Sequence, residues 1–179
     1  HKVYVTECGW YNGTDIGNIS EAESAARYSR WPFLLRCLDL VGAMFYELAN
    51  GGTDNLKESS FGFFTKNYAA QKAQAATVKD ALAHVNVSTG AKHYSDSSML
   101  RRVVVLDTPA GQRAAVWSCT ATGSVNLTVT AASAGTLIIQ TMGGSTSTQA
   151  ISAGVNIINV ALSNTAKVVF ANVAITISV

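Results

Sequence analysis

The chain has 179 residues, 13 Lys and Arg against 11 Asp and Glu, and a formal net charge of +2. A hydrophobic fraction of 48% excludes a disordered polymer, and so even a charge balance, with Arg101-Arg102 as its one adjacent basic pair, argues against a nucleic-acid binder. No apolar run reaches the roughly 18–20 residues of a membrane helix; the longest candidate, Leu34 to Leu48, is broken by Arg36, Asp39 and Glu47.

Lys2 to Glu7 alternates, is rich in β-formers and reads as a short strand ending in a carboxylate. Gly9, Asn12-Gly13 and Gly17 break the chain into a loop as far as Asn18. Ser20-Glu21-Ala22-Glu23 is a capping box, so a helix is expected to about Leu40, with Ala22, Ala26, Phe33, Cys37 and Val41 on one face. Pro32 falls inside it and is expected to kink it. Val41 to Leu48 is nearly all apolar, as in a strand buried on both faces. Asn50-Gly51-Gly52 ends that strand, and Tyr68 to His84 predicts a second helix. The first half therefore reads strand, helix, strand, helix, the order of βα units.

From about His93 the period changes to two. Strands are expected at 100–107, 113–119, 125–131, 136–141, 148–151, 155–161, 166–170 and 174–179, with Gly-containing turns between several of them. Short strands at such regular spacing predict an antiparallel sandwich. The charge changes at the same place: residues 1–90 hold 8 basic and 9 acidic side chains, and from Ala114 onward Lys167 is the only charged one. The expected organisation is α/β plus all-β, with one unit over residues 1–88 and a second over 89–179 in which acid–base chemistry is scarce.

Three cysteines, Cys8, Cys37 and Cys119, stand far apart with no CxxC pair, which disfavours a structural zinc site. His84 and His93 flank the junction with no third ligand in view. The four Asn-x-Ser/Thr sequons, at Asn12, Asn18, Asn86 and Asn126, are frequent by chance in so Ser/Thr-rich a chain. The chain opens on His1 with no basic-then-apolar leader. Two βα units cannot by themselves bury a parallel sheet, and a closed (β/α)8 barrel needs about 250 residues. The first half is thus expected to be the end of a barrel entered at strand seven, with the rest supplied upstream or by another chain.

Particular segments carry a family resemblance. Val5-Thr6-Glu7-Cys8-Gly9-Trp10 resembles the strand-seven segment of clan A glycoside hydrolases, and Ser20 to Leu40 their seventh helix. Phe45-Tyr46-Glu47-Leu48-Ala49-Asn50-Gly51-Gly52 is similar to their strand eight, with Gly52 where Asp is usual. Glu58 to Phe63 is similar to the Glu-x-x-Phe-Gly segment that follows, and Gln71-Lys72-Ala73 stands where Lys-Pro-Ala is common. The nearest resemblance is to β-xylosidase-like and exopolysaccharide-degrading members, which carry a β-sandwich after the barrel.

That resemblance implies a retaining mechanism with Glu7 as the nucleophile, attacking the anomeric carbon from the C-terminal end of a barrel strand. The acid/base would be a Glu in an Asn-Glu pair on strand four, about 5–5.5 Å away; no Asn-Glu dipeptide occurs here, so this chain would supply the nucleophile and lack the acid. Trp10 and Tyr11 follow Glu7 on one loop and, with Tyr46, are candidates to stack on the C–H faces of sugar rings. Glu47 would bind sugar hydroxyls, orient a neighbour or pair within the barrel rim. Trp31 and Trp117 read as packing residues. The expected partners are a poly- or oligosaccharide substrate and the missing N-terminal barrel portion, with no nucleic acid and no membrane. No metal or organic cofactor is implied, since two carboxyl groups perform the chemistry, and the expected location is secreted or extracellular. The alternative is a non-catalytic structural or carbohydrate-binding component of a phage tail or cell-surface assembly.

Overall fold

The computed structural model describes residues 4–10, 19–38, 40, 42–45, 62–64, 71–96, 98, 100–120 and 122–179, and at 6–8, 42 and 43 it describes the backbone. Strand β1 (Tyr4–Cys8) leads to helix α1 (Glu21–Cys37), strand β2 (Gly42–Phe45) and helix α2 (Ala73–Val85). Strands β1 and β2 pair in parallel, with Tyr4 opposite Gly42, Val5 opposite Ala43 and Cys8 opposite Phe45. Two consecutive βα units are therefore present. The capping box forms as expected: the Glu23 amide donates to Ser20 Oγ at 3.1 Å. Helix α1 runs through Pro32, which is buried.

Nine further strands follow: β3 (Gly90–Ser95), β4 (Arg101–Thr108), β5 (Gly111–Ser118), β6 (Ser124–Ala131), β7 (Gly135–Thr141), β8 (Thr146–Ile151), β9 (Gly154–Ala161), β10 (Lys167–Ala171) and β11 (Ile175–Ser178). All eight strands expected after residue 100 form within two residues of their expected ends. Strand β3 is additional, and its residues are mostly exposed, so burial left no alternation to read there. The strands make two antiparallel sheets, one ordered β3-β4-β5-β10-β7-β8 and the other β11-β6-β9.

The six-stranded sheet is buried on both sides at its centre, and the period of two sorts its side chains cleanly. Val103, Val105, Ala114, Val116 and Val169 point inward and meet Leu127, Val129, Ile158 and Ile177 of the three-stranded sheet. Val104, Leu106, Ala115, Trp117 and Val168 point the other way and meet Phe33 of α1 and Ala81 of α2. That is why Val103 to Leu106 and Ala114 to Ser118 are buried as unbroken runs, whereas β9 and β11, wet on one side, alternate. The change in composition near residue 89 is thus not a break in packing.

Polar contacts reinforce that packing. Ser29 Oγ accepts the Ala166 amide at 2.8 Å. Arg36 donates to Ser88 Oγ at 2.9 Å. Asp80 Oδ2 accepts the Gly143 amide at 2.8 Å, and Gly143 has a positive φ of 69° with its Cα so close to α2 that a Cβ would lie 2.6 Å from Thr77 Cγ2. Helix α2 has no side-chain cap of its own at Lys72. Glu21, in the first turn of α1, supplies one across the helix pair, with Oε1 2.7 Å from the Ala73 amide.

Burial on α1 differs from the single stripe read from sequence. Ala22 is exposed, while Ser24, Ala25, Tyr28, Ser29 and Leu35 join Ala26 and Phe33 in the interior. The helix is covered by the sheet and α2 on one flank and by aromatic side chains on the other, so its apolar surface is a broad band. No described helix is long and apolar enough to cross a membrane.

Candidate functional site

The C-terminal end of the β1–β2 pair is where the sequence places its candidate chemistry. Glu7 is the fourth of the five residues of β1, in the stretch between Val5 and Cys8 where the register with β2 is irregular. Cys8 lies opposite Phe45, so the described ends of β1 and β2 lie side by side; Tyr11, Tyr46 and Glu47 lie outside the described residues.

Trp10 belongs to the loop that leaves β1, and helix α1 holds it there. Its backbone amide donates to Tyr28 Oη at 3.1 Å. Its ring stands edge-on to Tyr28, centroids 5.1 Å apart, and to Trp31 at 5.2 Å. Tyr28 is fully buried and continues the aromatic cluster to Phe63 at 5.0 Å and Phe45 at 5.8 Å. The ends of both parallel strands are thereby fastened to one helix side chain. Edge-to-face pairs of this kind contribute about 0.5–1.5 kcal/mol each beyond the area they bury. Tyr28 is the positioning residue that the sequence reading missed; its signal was an aromatic eight residues after the Ser20 cap, within helical reach of both Trp31 and the loop.

Trp10 also lines a groove of about 460 Å³ between α1 and the β4–β5 part of the six-stranded sheet. Glu23 and three arginines reach it. Arg27 Nε lies 2.9 Å from Glu23 Oε1, and Arg30 Nη2 lies 3.9 Å from the same oxygen. Burial lowers the Arg30 pKa and the Glu23 charge opposes that shift. Trp31, expected to pack, does so against Trp10. Trp117 is 2% exposed and belongs to the core that joins sheet and helices.

The two histidines at the junction do not come together. His84 is buried between α2 and the sheet, with Nδ1 2.7 Å from Arg113 Nη1 and Nε2 3.1 Å from Gln140 Oε1. Arg has only donors, so Nδ1 accepts and the proton sits on Nε2, donated to Gln140. Burial, followed by the Arg113 charge, lowers the His84 pKa, opposed by the Gln140 hydrogen bond and Asp80. His93 is exposed on β3 beside Arg102, 3.4 Å away. Among the described residues, no three His, Cys, Asp or Glu side chains gather closely enough to hold a metal ion.

Asp96 makes a second polar centre at the sandwich rim. It accepts from Arg101 Nε at 2.7 Å, Ser98 Oγ at 2.9 Å and the Leu100 amide at 3.0 Å. Arg101, with these further donors, holds its carboxyl well below the usual carboxylate range.

No family model matches the sequence, and no curated protein matches it. Solved structures do. A glucosidase from Croceicoccus marinus superposes with a TM-score of 0.66 at 10% identity, over 94% of this chain and 45% of its own. An endoxylanase of glycoside hydrolase family 30 from Clostridium papyrosolvens gives 0.57 at 9% identity, over 94% and 41%. A β-porphyranase of glycoside hydrolase family 86 from the gut bacterium Bacteroides plebeius gives 0.54 at 12%, over 97% and 35%. The fold is glycosidase-like. At these identities the likeness concerns fold alone, and the chain spans less than half the length of each of these structures. Both the helical half and the sandwich take part in the match, since it extends over nearly the whole chain.

Proposed function

We propose that the chain is part of a retaining glycoside hydrolase acting on a β-linked poly- or oligosaccharide, with β1 and β2 as strands seven and eight of a (β/α)8 barrel and β3 to β11 as its β-sandwich. The observation that carries this reading is the parallel β1–β2 pair: each strand is followed by a helix, and Glu7 lies near the C-terminal end of the first. In such barrels the C-terminal strand ends form the active face.

In this role Glu7 is ionised and attacks the anomeric carbon, forming a glycosyl-enzyme as the leaving oxygen takes a proton from a second carboxyl group on the remaining barrel. Water, activated by that same group, then releases the sugar. Tyr11, Tyr46 and Glu47 contribute to the subsite around Glu7. Trp10 is fastened to Tyr28 where the chain leaves β1. The substrate is polymeric sugar outside the cell, which fits a secreted protein.

The test is Glu7→Gln in the protein that carries this chain with its complementary barrel strands. The amide keeps the shape and loses the charge that forms the covalent bond. Turnover is expected to fall about 1,000-fold or more, since each ~1.4 kcal/mol of barrier is tenfold in rate, while substrate still binds. An activated fluorosugar is expected to label the peptide containing Glu7. More than about a tenth of wild-type turnover in the variant, or a label on another peptide, overturns the assignment.

A further inference from the structure

The groove between α1 and the sheet has a composition unlike the rest of this chain. All three tryptophans of the sequence, Trp10, Trp31 and Trp117, line it. So do Arg27, Arg30 and Arg102, in a chain whose basic side chains otherwise lie scattered. Its volume, about 460 Å³, is within the range of small-molecule clefts. Trp10 and Trp31 meet at 84°, so the two indoles form a corner, and nearly buried Trp117 also lines the groove.

The charges in the groove do not balance. Three guanidiniums face one carboxylate, that of Glu23. Glu23 Oε1 serves Arg27 at 2.9 Å and is 3.9 Å from Arg30, while Oε2 accepts from Asn164 at 3.2 Å. Arg102 has His93 beside it at 3.4 Å, and an imidazole, neutral or protonated, offers no negative counter-charge. Arg27 also stands 6.0 Å from the centre of the Trp10 ring.

From this geometry we infer that the groove is a binding site for an acidic saccharide unit, a pyranose ring bearing a carboxylate or a sulfate ester. The aromatic corner takes the C–H face of the ring. The guanidiniums take the oxyanion, which Arg binds through paired N–H donors better than any other side chain. A neutral sugar would leave the excess cations unanswered. An extended polyanion such as a nucleic acid would need a basic track beyond the groove, and Lys167 is the only charged residue after Arg113. The choice of a sugar as the ring rests on the glycosidase reading. The site itself does not involve Glu7.

The test uses the full chain and its intrinsic fluorescence, because every tryptophan reports on the groove. Trigalacturonate represents the carboxylate source and a sulfated carrageenan disaccharide the sulfate source; xylotriose is the neutral control, and a single-stranded 12-mer oligonucleotide the competing class. One of the two acidic probes is expected to give a saturable change, at least about tenfold tighter than xylotriose and weakened by added salt. The tighter of the two identifies the source. Arg27→Gln and Arg102→Gln are each expected to weaken it about fivefold or more, with the Lys variants in between. Cys119 is exposed and lines the same groove, so the bound probe is expected to slow its alkylation in the wild-type chain, a readout that depends on no variant. The inference is overturned if neither acidic probe perturbs the tryptophans, if xylotriose binds as well, if both Gln variants bind like wild type, if Cys119 stays unprotected, or if the oligonucleotide binds more tightly. Because binding here is read without turnover, a silent groove leaves the role of Glu7 standing, and an inactive Glu7 leaves the groove standing.

Discussion

Replacing Phe33 with alanine removes a fully buried ring from the place where α1 meets the six-stranded sheet. The ring packs in one cluster with Ala81 of α2 and with Val104, Leu106, Ala115, Trp117 and Val168 of the sheet. Phe→Ala in a core costs about 3–5 kcal/mol, the transfer term plus the cavity left behind. Several neighbours here are alanines whose backbones are fixed by helix or ladder hydrogen bonds, so little side chain can move in to refill the space. The upper half of that range is therefore expected, a large share of the roughly 5–15 kcal/mol a domain possesses. At about 2–4 °C per kcal/mol for a chain of this size, the melting temperature should fall by roughly 8–20 °C. Urea unfolding is the assay, followed by far-ultraviolet circular dichroism at 222 nm, which reads the helices, and by tryptophan emission in a Trp10→Phe, Trp31→Phe background, which leaves Trp117 on the sheet as the emitter. Both transitions are expected to move together, because removing the helices would wet one face of β4, β5 and β10. A cost under about 1 kcal/mol, or a shifted helix signal with an unmoved Trp117 signal, would refute the shared core. Leu38→Ala, at a position 65% exposed, serves as the control and should change stability by less than about 0.5 kcal/mol.

Three further predictions follow from individual contacts. His84 is held neutral with a lowered pKa, so the unfolded chain takes up the proton first; its contribution is complete above about pH 6.5 and is lost as pH falls toward the lowered folded value, so that between pH 7.5 and 5 the melting temperature should drop further in wild type than in His84→Gln. Gly143→Ala places a Cβ 2.6 Å from Thr77 Cγ2 at a φ of 69° and should cost about 1–2 kcal/mol for the backbone alone, plus the clash; Thr77→Ser, which removes that methyl, should return the clash component in a double-mutant cycle, and strict additivity would count against the contact. Glu21→Ala removes the acceptor for the Ala73 amide and should cost about 0.5–2 kcal/mol by denaturant titration, with the loss seen as reduced hydrogen-exchange protection in the first turn of α2.

The sequence alone was enough for most of the local structure because local structure follows from local chemistry. Ser20 and Glu23 announced the start of α1, Gly-bearing turns and a period of two announced the strands after residue 100, and each formed where expected. Glu7 stood out only through the resemblance of Val5 to Trp10 to a glycosidase strand-seven segment, which spans a few residues. Four apolar residues in a row, Val103 to Leu106, could be read as strand but not assigned to faces: which two look at β6 and β9 and which two look at the helices depends on a sheet covered on both sides. The same holds for Tyr28, whose partners Trp10, Phe45 and Phe63 are far away in sequence, for His84, whose partners lie on β5 and β7, and for the three tryptophans, 86 residues apart between Trp31 and Trp117, which share a groove. Capping, turns and alternation are set by atoms a few bonds apart and are written in order along the chain. Which faces are covered, and which distant charges and rings meet, is settled only when apolar surfaces choose partners in three dimensions, because the hydrophobic effect rewards removal of area from water without specifying which residue removes it.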